Sequence, residues 1–507
     1  MKKSFSVVSL IVWLCMLAAA VFAAASLWRL AVLPNKYMLL ICIAFLVLWL
    51  LTGLLFWSGS KAKEVNRSGL GRRIIAWLMA VITIGGCLYG IHVLNKLDQT
   101  IEKITEGVNG SSIVAVYVLR DDPAQTIEDA AGYTFGMTEQ FDADNILTAI
   151  DDLRETIVSV KTESYETVTG MVDALYKRGV GAIILNESYV PVLEELDVYG
   201  SFSEETRVLY EITIENGSAV AIQNDEQKTE QIKNFQPVDV TQEPFILYIS
   251  GSDTHSQTLA RGCSDVNILA VINPKTKQIL LLNTPRDYYV VNPVSIYHEK
   301  DKLSHCGLYG VDCSAVALSE MYGVPINYYA QFNFTGFETF IDAIGGVTVN
   351  SDFAFSAGGF YFAEGENDLN GKQALSFVRE RHAFVGGDLQ RGRNQMEVIS
   401  AVIRKLSVGT IIMNYSQIMD SLQGMFVTNL TSDDISDIVR MQISSRPDWN
   451  IKTFAVSGPD GYAYTYTIPG LSPYVMYQDP ELVGRASELV QRVLDGETLT
   501  DADVAKE

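Results

Sequence analysis

Two aspartates near the middle of the chain have a type and spacing that suit cation binding. Asp253 follows the predicted strand 245–249, and Asp265 opens the predicted strand 266–272. Carboxylates at the mouths of two adjacent strands can converge on one hard cation. Mg²⁺ is typically held by one or two carboxylates together with substrate phosphates. The alternative is that each aspartate only caps a turn.

A concentration of arginines farther along the chain predicts a ligand that carries phosphate. Arg286 follows a third predicted strand, 279–282, and ligand sites of open α/β sheets lie at such strand ends. The guanidinium fork matches phosphate oxygens two at a time. The rest of the group lies downstream and consists of Arg379, Arg381, Asp388, Arg391 and Gln395.

The spacing within this group decides which side chains can act together. Arg379 and Arg381 share a face only in an extended segment, whereas Arg391 and Gln395 share a face in a helix. Asp388 is placed to cap that helix or to act as a base. Salt bridges with neighbouring carboxylates are the alternative for the arginines. Two aspartates, several arginines and a candidate base together favour phosphoryl transfer, in which catalysis is mostly positioning and charge neutralisation.

These residues carry a resemblance to the LytR-CpsA-Psr (LCP) family, which covers residues 244–496. The matching segments follow the order and spacing of the family. They are Gly251-Ser252-Asp253, Ser264-Asp265, Thr284-Pro285-Arg286-Asp287, Lys302-Leu303-Ser304-His305, Ile341-Asp342-Ala343-Ile344-Gly345-Gly346-Val347, Leu369-Asn370-Gly371-Lys372-Gln373-Ala374-Leu375, Arg379-Glu380-Arg381 and Gly387-Asp388 through Gln395.

The resemblance implies an extracytoplasmic phosphotransferase. Such an enzyme moves an anionic glycopolymer, of teichoic acid or capsular polysaccharide type, from a polyprenyl-pyrophosphate carrier to peptidoglycan. Asp253 and Asp265 then match carboxylates associated with Mg²⁺, and Arg286, Arg379, Arg381 and Asp388 form the catalytic set. Contacts with the pyrophosphate or head group are implied for Arg261, Arg286, Arg379, Arg381, Arg391 and Gln395.

The fold implied by the resemblance is an α/β/α sandwich with a central sheet and an apolar tunnel for the lipid tail. Ordinary core packing is the alternative for the candidate tunnel residues, which are Tyr288, Tyr289, Leu318, Met321, Tyr328, Tyr329 and Phe332. Two other functions also stay open. One is a non-catalytic membrane scaffold that binds polyprenyl phosphate, and the other is a polyprenyl pyrophosphatase that uses water as the acceptor.

The region before the LCP-like segment predicts a small accessory α/β domain over residues 111–216. Predicted strands alternate there with helices, which indicates βαβ units and a mostly parallel sheet. A polar linker, 217–243, leads to the predicted catalytic domain, 244–496. The acidic tail, 497–507, is expected to fray.

Residues 1–95 are predicted to anchor the chain in a membrane, because they contain three apolar runs. Each is about 20 residues or longer, the length that a helix needs to cross a bilayer. The basic loop 61–73 marks the cytoplasmic side. A polar stalk, 96–110, follows the third run, so the chain is predicted to be a multi-pass protein of the cell membrane whose large C-terminal region is extracytoplasmic. A cleaved signal peptide is the alternative for the first run.

Charge is distributed unevenly along the chain. Residues 1–95 contain nine Lys/Arg and one acidic residue, a net of +8, so a chain of net charge −22 leaves −30 for residues 96–507. A region this acidic is a poor general binder of nucleic acid, since attraction to phosphate supplies most of that affinity. The expected partners are therefore the lipid-linked polymer, peptidoglycan and the membrane, without nucleic acid.

Three of the six cysteines lie outside the apolar runs, where disulfides can persist. Because three is odd, at most one pair can form among them within a chain. The spacing predicts a disulfide between Cys306 and Cys313, with Cys263 free or buried.

Overall fold

A computed structural model describes most of the chain. The described residues are 7–30, 33–60, 67–105, 112–138, 142–157, 159–214, 235–252, 261–406, 414–422, 426–445 and 448–505. They form two compact units. The first contains the three N-terminal helices and helix Ser432–Ser445, and the second contains the accessory and LCP-like regions.

Three long helices, each apolar and long enough to cross a membrane, make up most of the first unit. They are α1 (Val7–Leu30), α2 (Asn35–Ser60) and α3 (Arg67–Thr105). The rings of Trp13 and Trp49 stack 4.1 Å apart, and each indole N–H donates to the other residue's carbonyl. Helix α3 continues to Thr105, so most of the predicted stalk is helical.

The accessory domain, residues 112–214, is built on a five-stranded sheet in the order β3-β2-β4-β1-β5. Strand β2 is parallel to β3 and β4, but β1 is antiparallel to β4 and β5. The α/β prediction is confirmed. The prediction of a mostly parallel sheet is wrong, because β1 runs opposite to both of its neighbours, β4 and β5, and two of the four strand pairings are therefore antiparallel. The elements are β1 (Ser112–Leu119), β2 (Thr134–Thr138), α4 (Ala143–Thr156), β3 (Lys161–Tyr165), α5 (Val168–Tyr176), β4 (Ala182–Asn186), α6 (Val190–Glu194), α7 (Phe202–Glu205) and β5 (Thr206–Ile214), with 3₁₀ turns at Glu128–Ala130 and Glu187–Tyr189.

The LCP-like domain is built on a six-stranded sheet in the order β16-β11-β6-β7-β8-β17. The strands of this sheet are β6 (Phe245–Ser252), β7 (Ser264–Asn273), β8 (Gln278–Asn283), β11 (Tyr328–Asn333), β16 (Phe426–Thr428) and β17 (Asn450–Ala455). Short strands form two-stranded pairs around it. These are β9 (Tyr289–Val291), β10 (Lys300–Lys302), β12 (Val347–Ser351), β13 (Phe355–Ala357), β14 (Phe360–Phe362), β15 (Gly365–Leu369), β18 (Asp460–Tyr462) and β19 (Tyr474–Met476).

Helices cover both faces of the central sheet. On one face, Leu269 and Val271 of β7 share a core with the helices Val311–Tyr322 and Pro480–Leu494. On the other face, Ile268 and Ala270 pack with Met396. Because β7 is buried on both faces, its run 268–272 is entirely apolar. The predicted α/β/α sandwich is confirmed. The helices are α8 (Leu303–Cys306), α9 (Val311–Tyr322), α10 (Phe334–Ala343), α11 (Gly371–Arg379), α12 (Asp388–Lys405), α15 (Pro480–Leu494) and α16 (Asp501–Val504), with a 3₁₀ turn at Gly307–Tyr309. Helix α13 (Tyr415–Leu422) begins in the first unit and ends in the second, and α14 (Ser432–Ser445) lies in the first.

The end of the chain is packed, which corrects the prediction of a frayed tail. Leu499 is 1% exposed and belongs to the main core of the domain. Arg492 forms ion pairs with Glu497 and Asp503, and Lys452 pairs with Asp501. The buried Leu499 and the ion pairs of the acidic side chains therefore hold the C-terminal segment against the domain, although its composition alone indicates a solvated tail.

Candidate functional site

Asp265 and Arg286 lie together at one edge of the central sheet. Strands β7 and β8 are antiparallel, so the start of β7 adjoins the end of β8. Asp265 is the second residue of β7, and Arg286 lies three residues beyond the end of β8. The Nη1 group of Arg286 donates to Oδ1 of Asp265 at 2.5 Å.

A cavity of about 240 Å³ opens at this edge. Its formal charges are four guanidinium groups against one carboxylate, in a region of the chain that is otherwise strongly acidic. A cavity with this excess of forked cations suits a ligand with several phosphate oxygens. The residues that line it are Asp265, Arg286, Phe334, Val378, Arg379, Arg381, His382, Arg391 and Gln395.

Helix α12 delivers Arg391 and Gln395 to the cavity, as their spacing predicts. Its N-cap position is Gly387, whose φ of 48° favours glycine, and Asp388 is the first helical residue. The prediction that Asp388 caps the helix is therefore wrong. The carboxylate of Asp388 instead forms an ion pair with Arg391.

Gly392 allows α12 to lie close to the end of β8. A Cβ atom at this position would come 2.2 Å from Nδ2 of the buried Asn283, a distance that side chains do not tolerate. The glycine in the helix start therefore has a packing role, and the helix is continuous through it. This close approach places the first turns of α12 at the edge where Arg286 lies.

The C-terminal end of α11 places Arg379, and the segment after it places Arg381. The guanidinium of Arg379 lies 4.7 Å from the centre of the Phe334 ring, a cation–π contact. Glu380 is extended, which turns the chain so that both arginines line one cavity. The amide of Gln395 donates to the carbonyl of Val378 at 3.4 Å and ties α12 to this helix end.

Arg286 is almost enclosed, with 12% of its side chain exposed. Burial lowers the pKa of its guanidinium, while the carboxylate of Asp287 acts in the opposite direction. Burial alone would raise the pKa of Asp287, but Lys302 and Arg286 outweigh it, so that pKa lies below its usual value. The Nζ atom of Lys302 lies 3.0 Å from the Asp287 carboxylate. These charges form one connected network behind the cavity.

Two described residues of the predicted site, Arg261 and Asp388, are not among those that line the cavity. Asp253 lies outside the described residues. Burial lowers the pKa of the Arg261 guanidinium, and the carboxylates of Asp142 and Asp312 act in the opposite direction. Among the described residues, no three or more His, Cys, Asp or Glu side chains form a group that could hold a metal ion.

The predicted disulfide is not formed. Cys306 and Cys313 are buried free thiols. The thiol of Cys306 donates to the carbonyl of Lys302 at 3.8 Å, and that of Cys313 donates to Oδ1 of Asn292 at 3.7 Å. Each sulfur thus has its own oxygen partner, and the two thiols also interact with each other, which together with burial raises the pKa of Cys306. The thiol of Cys263 is buried too.

Of the candidate tunnel residues, Tyr288 and Leu318 are fully buried and belong to the main core of the domain. Tyr288 also donates to the carbonyl of Ser457 and accepts from the N–H of Asp479. Tyr328 is 1% exposed and bonds to the backbone of Val238. The contacts of these three residues are those of ordinary core residues, whereas Tyr289, Met321, Tyr329 and Phe332 are half-buried.

Sequence reasoning missed several residues of the site. Phe334 and His382 line the cavity, and Lys302 and Glu195 belong to the charge network behind it. The sequence contains a signal that could have identified Lys302, because this residue lies in the segment Lys302-Leu303-Ser304-His305 that carries part of the family resemblance. No sequence pattern connects Glu195 with the site, because it belongs to the accessory domain, about 90 residues before Arg286 in the chain.

The central sheet, the helices on its two faces and the arginine-lined cavity together define an α/β/α domain with an anion site at a sheet edge. Residues 209–478 match the sequence model of the LytR_cpsA_psr family, which is more than half of the chain. The chain belongs to this family.

Two curated relatives fit this membership, and one solved structure is similar to part of the chain. The chain is 35% identical over 197 residues to a polyisoprenyl-teichoic acid–peptidoglycan teichoic acid transferase TagU of Bacillus mycoides, covering 39% of this chain and 64% of that protein. It is 32% identical over 246 residues to the TagU of Bacillus cereus, covering 48% and 78%. The crystal structure of Bacillus subtilis TagV is similar at a TM-score of 0.42 and 25% identity, covering 51% and 99%.

With three N-terminal helices that can cross a membrane and a domain of this family after them, the chain is a membrane protein with a C-terminal extracellular domain.

Proposed function

We propose that this protein is a membrane-anchored phosphotransferase that attaches an anionic glycopolymer to peptidoglycan, using a polyprenyl-pyrophosphate-linked polymer as the donor. The observation that carries the proposal is the cavity in which four arginines face one carboxylate at the sheet edge. The names of the relatives add that the polymer is a teichoic acid in their case. Teichoic acid is therefore the first donor to test, and capsular polysaccharide is the second.

In the proposed reaction, a sugar hydroxyl of peptidoglycan attacks the phosphorus atom on the polymer side of the pyrophosphate. The new oxygen–phosphorus bond forms a phosphodiester, and the bond from that phosphorus to the bridging oxygen breaks. Polyprenyl phosphate leaves with the bonding electrons, while Asp388 accepts the proton of the attacking hydroxyl. Arg286, Arg379, Arg381 and Arg391 neutralise the charge that builds on the phosphoryl oxygens.

We also propose that Mg²⁺ is a cofactor of this site. Asp265 places a carboxylate in the cavity beside the arginines, and one or two carboxylates hold this ion when phosphates complete its shell. Asp265 and Asp253 would hold it, and when bound it supplies further positive charge to the phosphoryl oxygens. We also propose that all three N-terminal helices span the membrane.

The test is a transfer assay with the purified full-length protein, polymer-loaded polyprenyl pyrophosphate and peptidoglycan. The wild-type protein is expected to attach polymer covalently. Arg286→Ala should reduce the rate on the order of 10²–10³-fold, since it removes one preorganised donor, while lipid still copurifies because apolar burial holds the tail. Arg404→Ala, on the exposed end of α12, is the matched control.

The products separate the proposal from its competitors. Released free polymer phosphate without wall attachment would show a pyrophosphatase. Lipid binding without turnover, for both donors, would show a binding scaffold. A near wild-type rate for Arg286→Ala would mean that the chemistry occurs elsewhere.

A further inference from the structure

The accessory domain contributes one side chain to the charge network of the LCP-like domain. Glu195 follows the end of α6, and its carboxylate contacts two cations at once. Oε1 forms an ion pair with Nη2 of Arg286, and Oε2 lies 2.7 Å from Nζ of Lys302. The three side chains are mostly buried, at 17%, 12% and 4% exposure for Glu195, Arg286 and Lys302.

The carboxylate approaches the site from behind. Glu195 is not one of the nine described residues that line the cavity, whereas Arg286 is. Arg286 therefore presents one face to the cavity while Glu195 and Asp265 each hold one of its terminal nitrogens. A guanidinium held at both ends of its fork has little freedom to rotate, which is the condition for a preorganised donor.

The position of Glu195 is itself fixed by packing. The neighbouring Leu193 and Leu196 share a buried apolar cluster with Leu308 and Ile468 of the LCP-like domain. Tyr189, just before α6, donates its hydroxyl proton to the carbonyl of Thr467. Apolar contacts on both sides thus clamp the end of α6 against the domain that holds the site.

We infer that Glu195 is a positioning residue of the transferase site, through which the accessory domain orients Arg286 and Lys302. The inference rests on the proposed function and assigns part of the accessory domain's role. Glu195 acts on Arg286 and not on the substrate, so its loss should reduce turnover without weakening attraction for the pyrophosphate.

The expected signature is a split between rate and affinity. In Glu195→Gln the shape is kept but one negative charge beside two cations is lost. Turnover should fall roughly tenfold, the lower end of the range known for residues that orient metal ligands in other enzymes. The Kd for inorganic pyrophosphate should stay unchanged or become smaller, because the cations are less neutralised. Glu204→Gln, an exposed glutamate of the same domain, is the matched control and should behave like the wild type.

The measurements are kcat in the transfer assay and calorimetric titration with inorganic pyrophosphate, both on the full-length protein. Glu195→Asp serves as a second variant, since it keeps the charge but is too short to reach both cations, and should show an intermediate rate. Wild-type turnover in the same assay confirms the proposed function separately. A Glu195→Gln rate equal to or above the wild-type rate would overturn the inference. So would weaker pyrophosphate binding together with a lower Tm in both variants, because that pattern indicates general damage.

A double-mutant cycle tests whether Glu195 acts through Arg286. If it does, adding Glu195→Gln to Arg286→Ala should change the residual rate by less than twofold, because the group to be oriented is already gone. A further tenfold loss in the double variant would show an independent role and reject the positioning inference.

Discussion

Arg286 is the residue on which the most contacts of the site converge. It lines the cavity, donates to Asp265, forms an ion pair with Glu195 and lies near Asp287. Burial lowers the pKa of its guanidinium, and the carboxylate of Asp287 acts in the opposite direction. Arg286→Lys keeps the charge but loses the fork, so it should also impair transfer clearly, by tenfold or more in kcat. A wild-type kcat for this variant would show that only charge matters at this position.

Asp265 is the residue whose substitution tests for Mg²⁺. One carboxylate rarely holds this ion well by itself, so Asp265→Ala should abolish most of the Mg²⁺ dependence of transfer. The measurement is the transfer rate across a Mg²⁺ titration, with the exposed Asp197→Ala as the control. If Asp265→Ala responds to Mg²⁺ as the wild type does, the paired-aspartate site is wrong.

At the residue scale, local spacing predicted part of the site. The i, i+4 spacing of Arg391 and Gln395 predicted a shared helix face, and both line the cavity. Asp388 was predicted either to cap the helix or to act as a base, and the cap position is occupied by Gly387. Glu195 could not be predicted, since only the packing of two domains brings it to Arg286.

Among the elements, α12 depends most on one residue. Gly392→Ala should force α12 away from Asn283, lower stability by about 1–3 kcal/mol through overpacking and reduce transfer by misplacing Arg391. Thermal unfolding and the transfer assay measure both effects. The control is Gly484→Ala in α15, where an added Cβ meets nothing within 4 Å. That change should be neutral or stabilising, since alanine favours a helix over glycine. Unchanged stability and activity in Gly392→Ala would contradict this packing role.

Helix α9 carries a carboxyl group whose ionisation opposes folding. Burial raises the pKa of Asp312 to about 6, with Arg261 acting in the opposite direction. Below about pH 4 the group is protonated in the folded and unfolded chain, and above its folded pKa it is charged in both. The contribution of Asp312 to the stability of the wild type should therefore fall as the pH rises from about 4 to 6, and the loss should persist above that pH.

Asp312→Asn removes the ionisation and tests this sign. The variant should have a higher Tm than the wild type at neutral pH, and the difference should vanish at about pH 4. Thermal unfolding over this pH range is the measurement, with the exposed Asp495→Asn as the control. A Tm below that of the wild type at neutral pH would show that the Arg261 pairing dominates.

At the element scale, the alternation of predicted strands and helices in residues 111–216 indicated an α/β accessory domain, and that domain is present. The α/β/α sandwich of the LCP-like domain was implied by the family resemblance, and it is present too. The direction of β1 and the packing of Leu499 were not predictable in this way. Both depend on contacts between segments far apart in the chain, which local patterns do not record.

The whole molecule combines an anchor, an accessory domain and an LCP domain. The basic loop 61–73 predicts that the N-terminus is cytoplasmic and that everything after α3 is outside. Protease added to intact wall-less cells should therefore digest the chain beyond Thr105 and spare a cytoplasmic marker protein. Full protection of that region would place the cavity on the wrong side for peptidoglycan.

The most direct test of the central claim is the chemical identity of the bond that the protein makes. Wild-type protein, polymer-loaded polyprenyl pyrophosphate and peptidoglycan are incubated, the glycan is digested with a muramidase, and the junction fragments are weighed by mass spectrometry. The account predicts a fragment in which polymer and peptidoglycan sugar are joined by a single phosphodiester, with one polyprenyl phosphate released for each junction. A junction without phosphorus, or polyprenyl phosphate released with no junction formed, would contradict it.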